Sequence, residues 1–122
     1  MFINYEALKF QLKKLQNACD GAIIIVEGKR DVAALKSLLN ADFFTINRTK
    51  RSLYETAEHI ASKYRSAILL LDADKKGKEL TKKMSSYLRS HGVRVLVEEK
   101  LLKLAQVRNV EGLCSADSIR NL

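Results

Sequence analysis

The sequence has no proline, no tryptophan, two cysteines and five glycines in 122 residues. The missing proline excludes nothing by itself. Two thiols, Cys19 and Cys114, are too few for a disulfide scaffold and fit a reducing, cytoplasmic setting. Neither has a neighbouring histidine in a nucleophile pattern, so both read as free structural thiols. The longest apolar runs, Ala22 to Val26 and Ala67 to Leu71, fall far short of the ~20 residues that span a bilayer, so no membrane partner is expected. Met1 to Phe10 carries Glu6 and lacks a basic leader region, which argues against a secretory signal. There is no G-x-x-x-x-G-K-[ST] loop, no G-x-G-x-x-G after a strand, no H-E-x-x-H and no zinc-type cysteine spacing. These absences disfavour a P-loop NTPase, a dinucleotide enzyme and a zinc hydrolase. Low-complexity stretches, repeats and linkers are absent too.

What is present is a balanced, basic chain. Apolar residues make up 47% and charged residues 30%, a composition that folds rather than stays disordered. The length fits one domain over residues 1–122. Lys and Arg total 22 against 14 acids, for a net charge of +8. Such an excess attracts polyanions, because each cation placed at a phosphate releases condensed counterions. A solvated surface rich in Lys and Glu is the competing explanation. Position along the chain has to decide between them.

Hydrophobic spacing predicts alternating helices and strands. Residues 4–18 form an amphipathic helix with Tyr5, Leu8, Leu12 and Leu15 on one face and Asn4 as its cap. Ala22 to Val26 is apolar throughout, as in a strand covered on both faces. Val32, Leu35, Leu38 and Leu39 recur at helical spacing from Arg30 to Leu39, and Asp42 to Ile46 is a weaker strand. Ser52 and Glu55 make a capping box for a helix burying Leu53, Ala57, Ile60 and Ala61. Ala67 to Leu71 is a third strand. A long helix marked by Leu80, Met84, Tyr87 and Leu88 ends at Gly92, and Val93 to Val97 is a fourth strand. In the tail, Leu101, Leu102 and Ala105 predict a short helix, and Ser115 is placed to cap a last turn. Alternation of this kind means an α/β fold with a four-stranded parallel sheet flanked by helices.

Ligands of such sheets bind beyond the carboxyl ends of the strands. Glu27-Gly28-Lys29-Arg30-Asp31 follows the first strand, and Asn47-Arg48-Thr49-Lys50-Arg51 the second. Asp72-Ala73-Asp74-Lys75-Lys76-Gly77-Lys78 follows the third, and Glu98-Glu99 the fourth. Glu27, Asp72 and Asp74 would repel one another unless a cation neutralised them. Oxygen donors without His or Cys select a hard ion, Mg²⁺, with Mn²⁺ as a substitute. Lys29, Arg30, Arg48, Lys50, Arg51, Lys75, Lys76 and Lys78 would face phosphate, and Gly28 and Gly77 would shape the turns.

Glu27-Gly28 after an apolar strand, with Asp72-x-Asp74-x-x-Gly77 after a later one, resembles the Toprim domain of topoisomerases, primases, some nucleases and the 5S ribosomal RNA maturase. The likeness covers about residues 20–100, and the length resembles the small stand-alone Toprim proteins of archaea. It implies the Toprim, Rossmann-like fold, with the first helix and the tail packed on the core. It also implies that Asp72 and Asp74 hold Mg²⁺, while Glu27 completes the site or moves protons. The expected function is metal-dependent phosphodiester hydrolysis on RNA or DNA, as a nuclease or RNA-processing factor. The alternative is a non-catalytic nucleic-acid- or ribosome-binding module.

Each residue has a plainer reading. Glu27 would be a helix-entry acid, and Asp72 and Asp74 a turn and a helix cap. Asp31 reads as a helix-start residue, while Glu98 and Glu99 read as surface acids. Glu111, in Val107 to Leu113, would be brought near the site. His59 and His91, and Tyr5, Tyr54, Tyr64 and Tyr87, fall on helical patterns. A phosphorylation receiver needs two acids and then one, the reverse of this order, and ranks last. An exposed sheet edge would allow a homodimer.

Overall fold

A computed structural model describes residues 3–115, the side chains of Arg48, Cys114 and Ser115 excepted. The last turn expected after Ser115 lies outside the described residues. Eleven segments follow one another: α1 (Tyr5–Ala18), β1 (Ala22–Val26), α2 (Lys29–Lys36), β2 (Asp42–Thr45), a 3₁₀ turn (Ile46–Arg48), α3 (Leu53–Ala61), β3 (Ser66–Leu69), α4 (Lys75–Ser90), β4 (Arg94–Val97), α5 (Lys100–Ala105) and α6 (Gly112–Ser115). The sheet is four-stranded in the order β2-β1-β3-β4, with every pair parallel.

Side-chain alternation along the central strands divides the interior into two layers. Ile24 and Val26 of β1 and Ile68 of β3 point to one face, where Leu8 and Leu15 of α1, Leu35 of α2, and Leu101 and Leu102 of α5 cover them. Ile23 and Ile25, with Ala67 and Leu69, point to the other, under Ala57 and Ile60 of α3 and Met84 and Leu88 of α4. All five residues of β1 are buried, which is why that segment carries no polar alternation.

Local signals end the elements where expected. Asn4 Oδ1 accepts from Ala7 N–H at 3.0 Å. Ser52 and Glu55 form the reciprocal capping box of α3. Gly92, at φ +82°, closes the chain after α4.

Four details differ from expectation. Tyr5 is 52% exposed and does not join Leu8 and Leu15 in the core. Helix α2 ends at Lys36, and Leu38 and Leu39 pack from the turn that follows. Tyr64 lies beyond α3, where its hydroxyl donates to Asp42 Oδ2 at 3.2 Å. Glu98 is not a surface acid. It is 6% exposed, accepting from Gln11 Nε2 at 2.8 Å and from Leu101 N–H at 3.0 Å. Its carboxylate thereby ties α1 to the start of α5. Glu98→Ala should cost roughly 1–3 kcal/mol of stability in urea unfolding, because Gln11 is left buried without its partner. An unchanged midpoint would contradict this role.

Candidate metal and phosphate site

The helix connections place a crevice between β1 and β3. From β1 the chain leaves to α2 on one face of the sheet, and from β3 it leaves to α4 on the other. Between two such neighbours the loops diverge and open a cleft at the carboxyl ends of the strands. Glu27 follows β1 and Asp72 lies just past β3, so the topology delivers both acids to that cleft.

Backbone contacts hold the acids there. Asn47 N–H donates to the Glu27 carbonyl at 2.9 Å, tying the end of β1 to the turn after β2. Asp72 Oδ1 accepts from Val110 N–H at 2.9 Å, and Ala73 N–H donates to the Arg108 carbonyl at 2.7 Å. The segment between α5 and α6 thus braces the Asp72 loop. Asp74 is the N-cap of α4, its Oδ1 accepting from Gly77 N–H at 2.7 Å. The helix-cap reading of Asp74 is therefore correct, and it leaves the second carboxylate oxygen outside that bond.

Glu27 and Asp72 meet. Burial, the Asp72 side chain at hydrogen-bonding range, its charge and that of Asp74 push the Glu27 carboxyl up to about 7, with Lys76 opposing. A hydrogen bond between two carboxyls needs a shared proton. Without one, Glu27 Oε1 is buried and has no hydrogen-bond partner. An orphaned buried oxygen beside two further carboxylates fits a hard cation in donor chemistry. Among the described residues no three acid, imidazole or thiol groups are arranged to hold an ion as they stand. Magnesium commonly takes only one or two carboxylates and fills its shell with water and phosphate oxygens, which matches the close pair Glu27 and Asp72.

Asp31 is a helix-start residue, as expected, but a buried one. It is 8% exposed, and its Oδ2 accepts from Gly28 N–H at 3.0 Å. Burial raises its pKa, the Gly28 hydrogen bond opposes, and Asp72 and Glu111 add their charge to the rise. Glu111 does reach this edge, with Arg30 Nη1 at 3.9 Å from its Oε1. The signal that would have found the bracing segment, backbone donation from Val110, is independent of side-chain identity and so invisible in sequence.

The two glycines differ. A Cβ on Gly77 would sit 2.0 Å from the Asp72 carbonyl oxygen, so only glycine lets α4 start this close to the β3 loop. Gly28 has φ −145° and ψ 176°, and its Cβ would meet nothing nearer than Asn47 Nδ2 at 3.9 Å. Gly28 lies in the turn it is expected to shape, in an extended conformation that any residue adopts.

Cations surround the acids. Lys29 and Arg30 open α2, Lys50 and Arg51 follow the 3₁₀ turn, and Lys75, Lys76 and Lys78 occupy the first turn of α4, all exposed. The first turn of α4 contains no acid. Positive side chains are unfavourable at the positive end of a helix dipole, so this placement suits an arriving anion better than it suits helix stability.

The sequence profile of the Toprim domain matches residues 22–100. The chain belongs to the Toprim domain family. Family membership points to nucleic acids and to divalent metal ions. This Toprim chain is 38% identical to a UPF0292 protein of Pyrococcus abyssi over 112 residues, 90% of this chain and 81% of that one. It is 38% identical to a UPF0292 protein of Methanosarcina barkeri over 97 residues, 76% of this chain and 67% of that one. In structure it is similar to a putative protein from Aquifex aeolicus, with TM-score 0.69, 29% identity and coverage of 86% and 96%. About a quarter of the chain comprising the zinc-binding and RNA polymerase domains of the Aquifex aeolicus primase shares the fold, with TM-score 0.62, 18% identity and coverage of 90% of this chain and 26% of that one. Among the described residues no helix is long and apolar enough to cross a membrane.

Two outcomes follow from this geometry. A carboxyl whose pKa is raised binds its proton more tightly folded than unfolded. Its contribution to stability is complete below pH 4.5 and is lost as pH rises through about 7. In chelator, the wild-type protein should therefore lose melting temperature over that window, and Glu27→Gln should lose less and melt higher at pH 8. Parallel calorimetric profiles for the two proteins would contradict the close pairing of Glu27 with Asp72. Gly77→Ala should cost roughly 1–3 kcal/mol through overpacking against backbone, while Gly28→Ala should be close to neutral by the same denaturant titration.

Proposed function

We propose that this chain hydrolyses phosphodiester bonds in RNA or DNA with a divalent ion, as a nuclease or RNA-processing factor. The observation that carries the reading is the buried, partnerless Glu27 oxygen set against Asp72 in the switch-point crevice. Glu27 and Asp72 would hold Mg²⁺, or Mn²⁺ in its place, with Asp74 closing the set through the oxygen not engaged by Gly77. When bound, the ion would polarise the scissile phosphate and acidify a coordinated water.

The chain's own groups do the rest. A Glu27 carboxyl near pH 7 is matched to taking or giving a proton at neutral pH. Lys76, close enough to lower the Glu27 pKa, would sit beside the phosphate and offset its developing charge. Lys29, Arg30, Lys75 and Lys78 ring the same edge and would orient the flanking phosphates, with Lys50 and Arg51 on the neighbouring loop. Phosphate contacts of this kind position the strand without reading its sequence.

A cleavage assay on single- and double-stranded RNA and DNA, with Mg²⁺ and with Mn²⁺, tests the reading. Glu27→Gln should lower turnover by about 10²–10⁴-fold while changing oligonucleotide affinity little. Asp72→Asn should abolish the cleavage that depends on divalent ion. No cleavage of any substrate by the wild-type protein, alongside salt-sensitive binding, would overturn hydrolysis and leave a binding module.

A further inference from the structure

A second feature adjoins the acidic crevice. Along α4, residues Lys78, Thr81, Lys82, Ser85, Ser86 and Arg89 recur at helical spacing and line one open groove of about 590 Å³. Val97 and Glu99, at the end of β4, form its other wall. The opposite stripe of α4, with Met84 and Leu88, is packed in the core. The groove runs into a smaller cleft of about 260 Å³ that contains Asp72 and shares Lys78, Thr81, Val97 and Glu99 with it.

The stripe consists of hydrogen-bond donors. Neither Lys78, Lys82 nor Arg89 forms an ion pair among the described residues. Thr81 Oγ1 returns its proton to the Gly77 carbonyl at 2.8 Å, the usual resting place of a helical hydroxyl. Ser85, one turn on, does not. It is 6% exposed, and its Oγ is buried with no hydrogen-bond partner. A solvated helix face has no reason to bury an unsatisfied hydroxyl, which is costly unless something arrives to meet it.

We infer that this groove is the track along which a single nucleic-acid strand reaches the Asp72 side of the acidic site, its phosphates held by Lys78, Lys82 and Arg89 and one phosphate oxygen accepting from Ser85 once that side chain turns outward. The inference rests on, and extends, the proposed phosphodiester chemistry. From Lys78 to Arg89 the helix rises about 16 Å, room for roughly five stacked nucleotides. No aromatic side chain lines the groove, so bases have nothing to stack on and the track reads backbone alone. Glu99 stands at the catalytic end, where it would repel a strand lying outside the path set by the cations.

The test is fluorescence anisotropy with labelled 12-nucleotide single-stranded RNA and DNA and a duplex of equal length. It is run in chelator, so that no cleavage intervenes. The double variant K82A/R89A should bind the single strands at least tenfold more weakly at low salt. The slope of log affinity against log salt should become shallower by about 1.4, two contacts at about 0.7 each. Ser85→Ala should weaken binding several-fold with the slope unchanged. The double variant K9A/K13A, which removes equal charge from α1, should leave both nearly as they are. Equal slopes for K82A/R89A and K9A/K13A would overturn the track. So would stronger binding of the duplex, or an effect of K82A/R89A on sedimentation rather than on affinity, which would make the groove a contact between copies of the chain. Cleavage by the wild-type protein separates the two proposals. A shallower slope without cleavage sinks the hydrolysis alone, and cleavage with an unchanged slope sinks the track alone.

Discussion

Two carboxylates that repel each other are held together at the point where the sheet's connections change face, and the edge of the molecule is organised around keeping them there. Glu27 and Asp72 arrive on adjacent parallel strands. Left to themselves they would separate or share a proton. The chain prevents separation with backbone bonds: Asn47 to the Glu27 carbonyl, Val110 to the Asp72 carboxylate, and Ala73 to the Arg108 carbonyl. Gly77 permits the closest approach of all, where α4 begins against the Asp72 carbonyl.

This arrangement costs stability. A half-buried acid with a raised pKa weakens the metal-free fold at neutral pH, and lysines at the start of α4 oppose the helix dipole. Both costs would be relieved by opposite charge, a cation beside the acids and a phosphate beside the lysines. Strain of this kind concentrates at functional sites because the surrounding structure over-determines it. Here the over-determination comes from two apolar layers that fix β1 and β3 from both faces.

The same logic separates structural acids from the rest. Glu98 and Asp31 are both buried, yet each has a backbone donor and a place in a helix cap. Glu27 has neither on its buried oxygen. Ser85 and Thr81 differ in the same way along α4. Partnership distinguishes these groups where residue type and burial do not.

How much could be read without coordinates follows from which interactions are local. The order of elements, the caps at Asn4 and Ser52, the buried β1 and the placement of Glu27, Asp72 and Asp74 at strand ends were all legible, because helix and strand periodicities and capping are encoded within a few residues. Glu98 looked like a surface acid because its partner Gln11 lies on the first helix, and Gly28 and Gly77 looked alike as turn formers because sequence alone does not reveal the dihedral or the neighbours of a glycine. The brace from Val110 and the unsatisfied hydroxyl of Ser85 were out of reach for the same reason: one is donated by a backbone amide that any residue carries, the other is defined by what fails to approach it. The sequence by itself determined the alternation of strands and helices and the chemistry available at one edge. Only the tertiary structure decided which of those side chains meet and which remain unpartnered, since those are properties of residues brought together from distant parts of the chain.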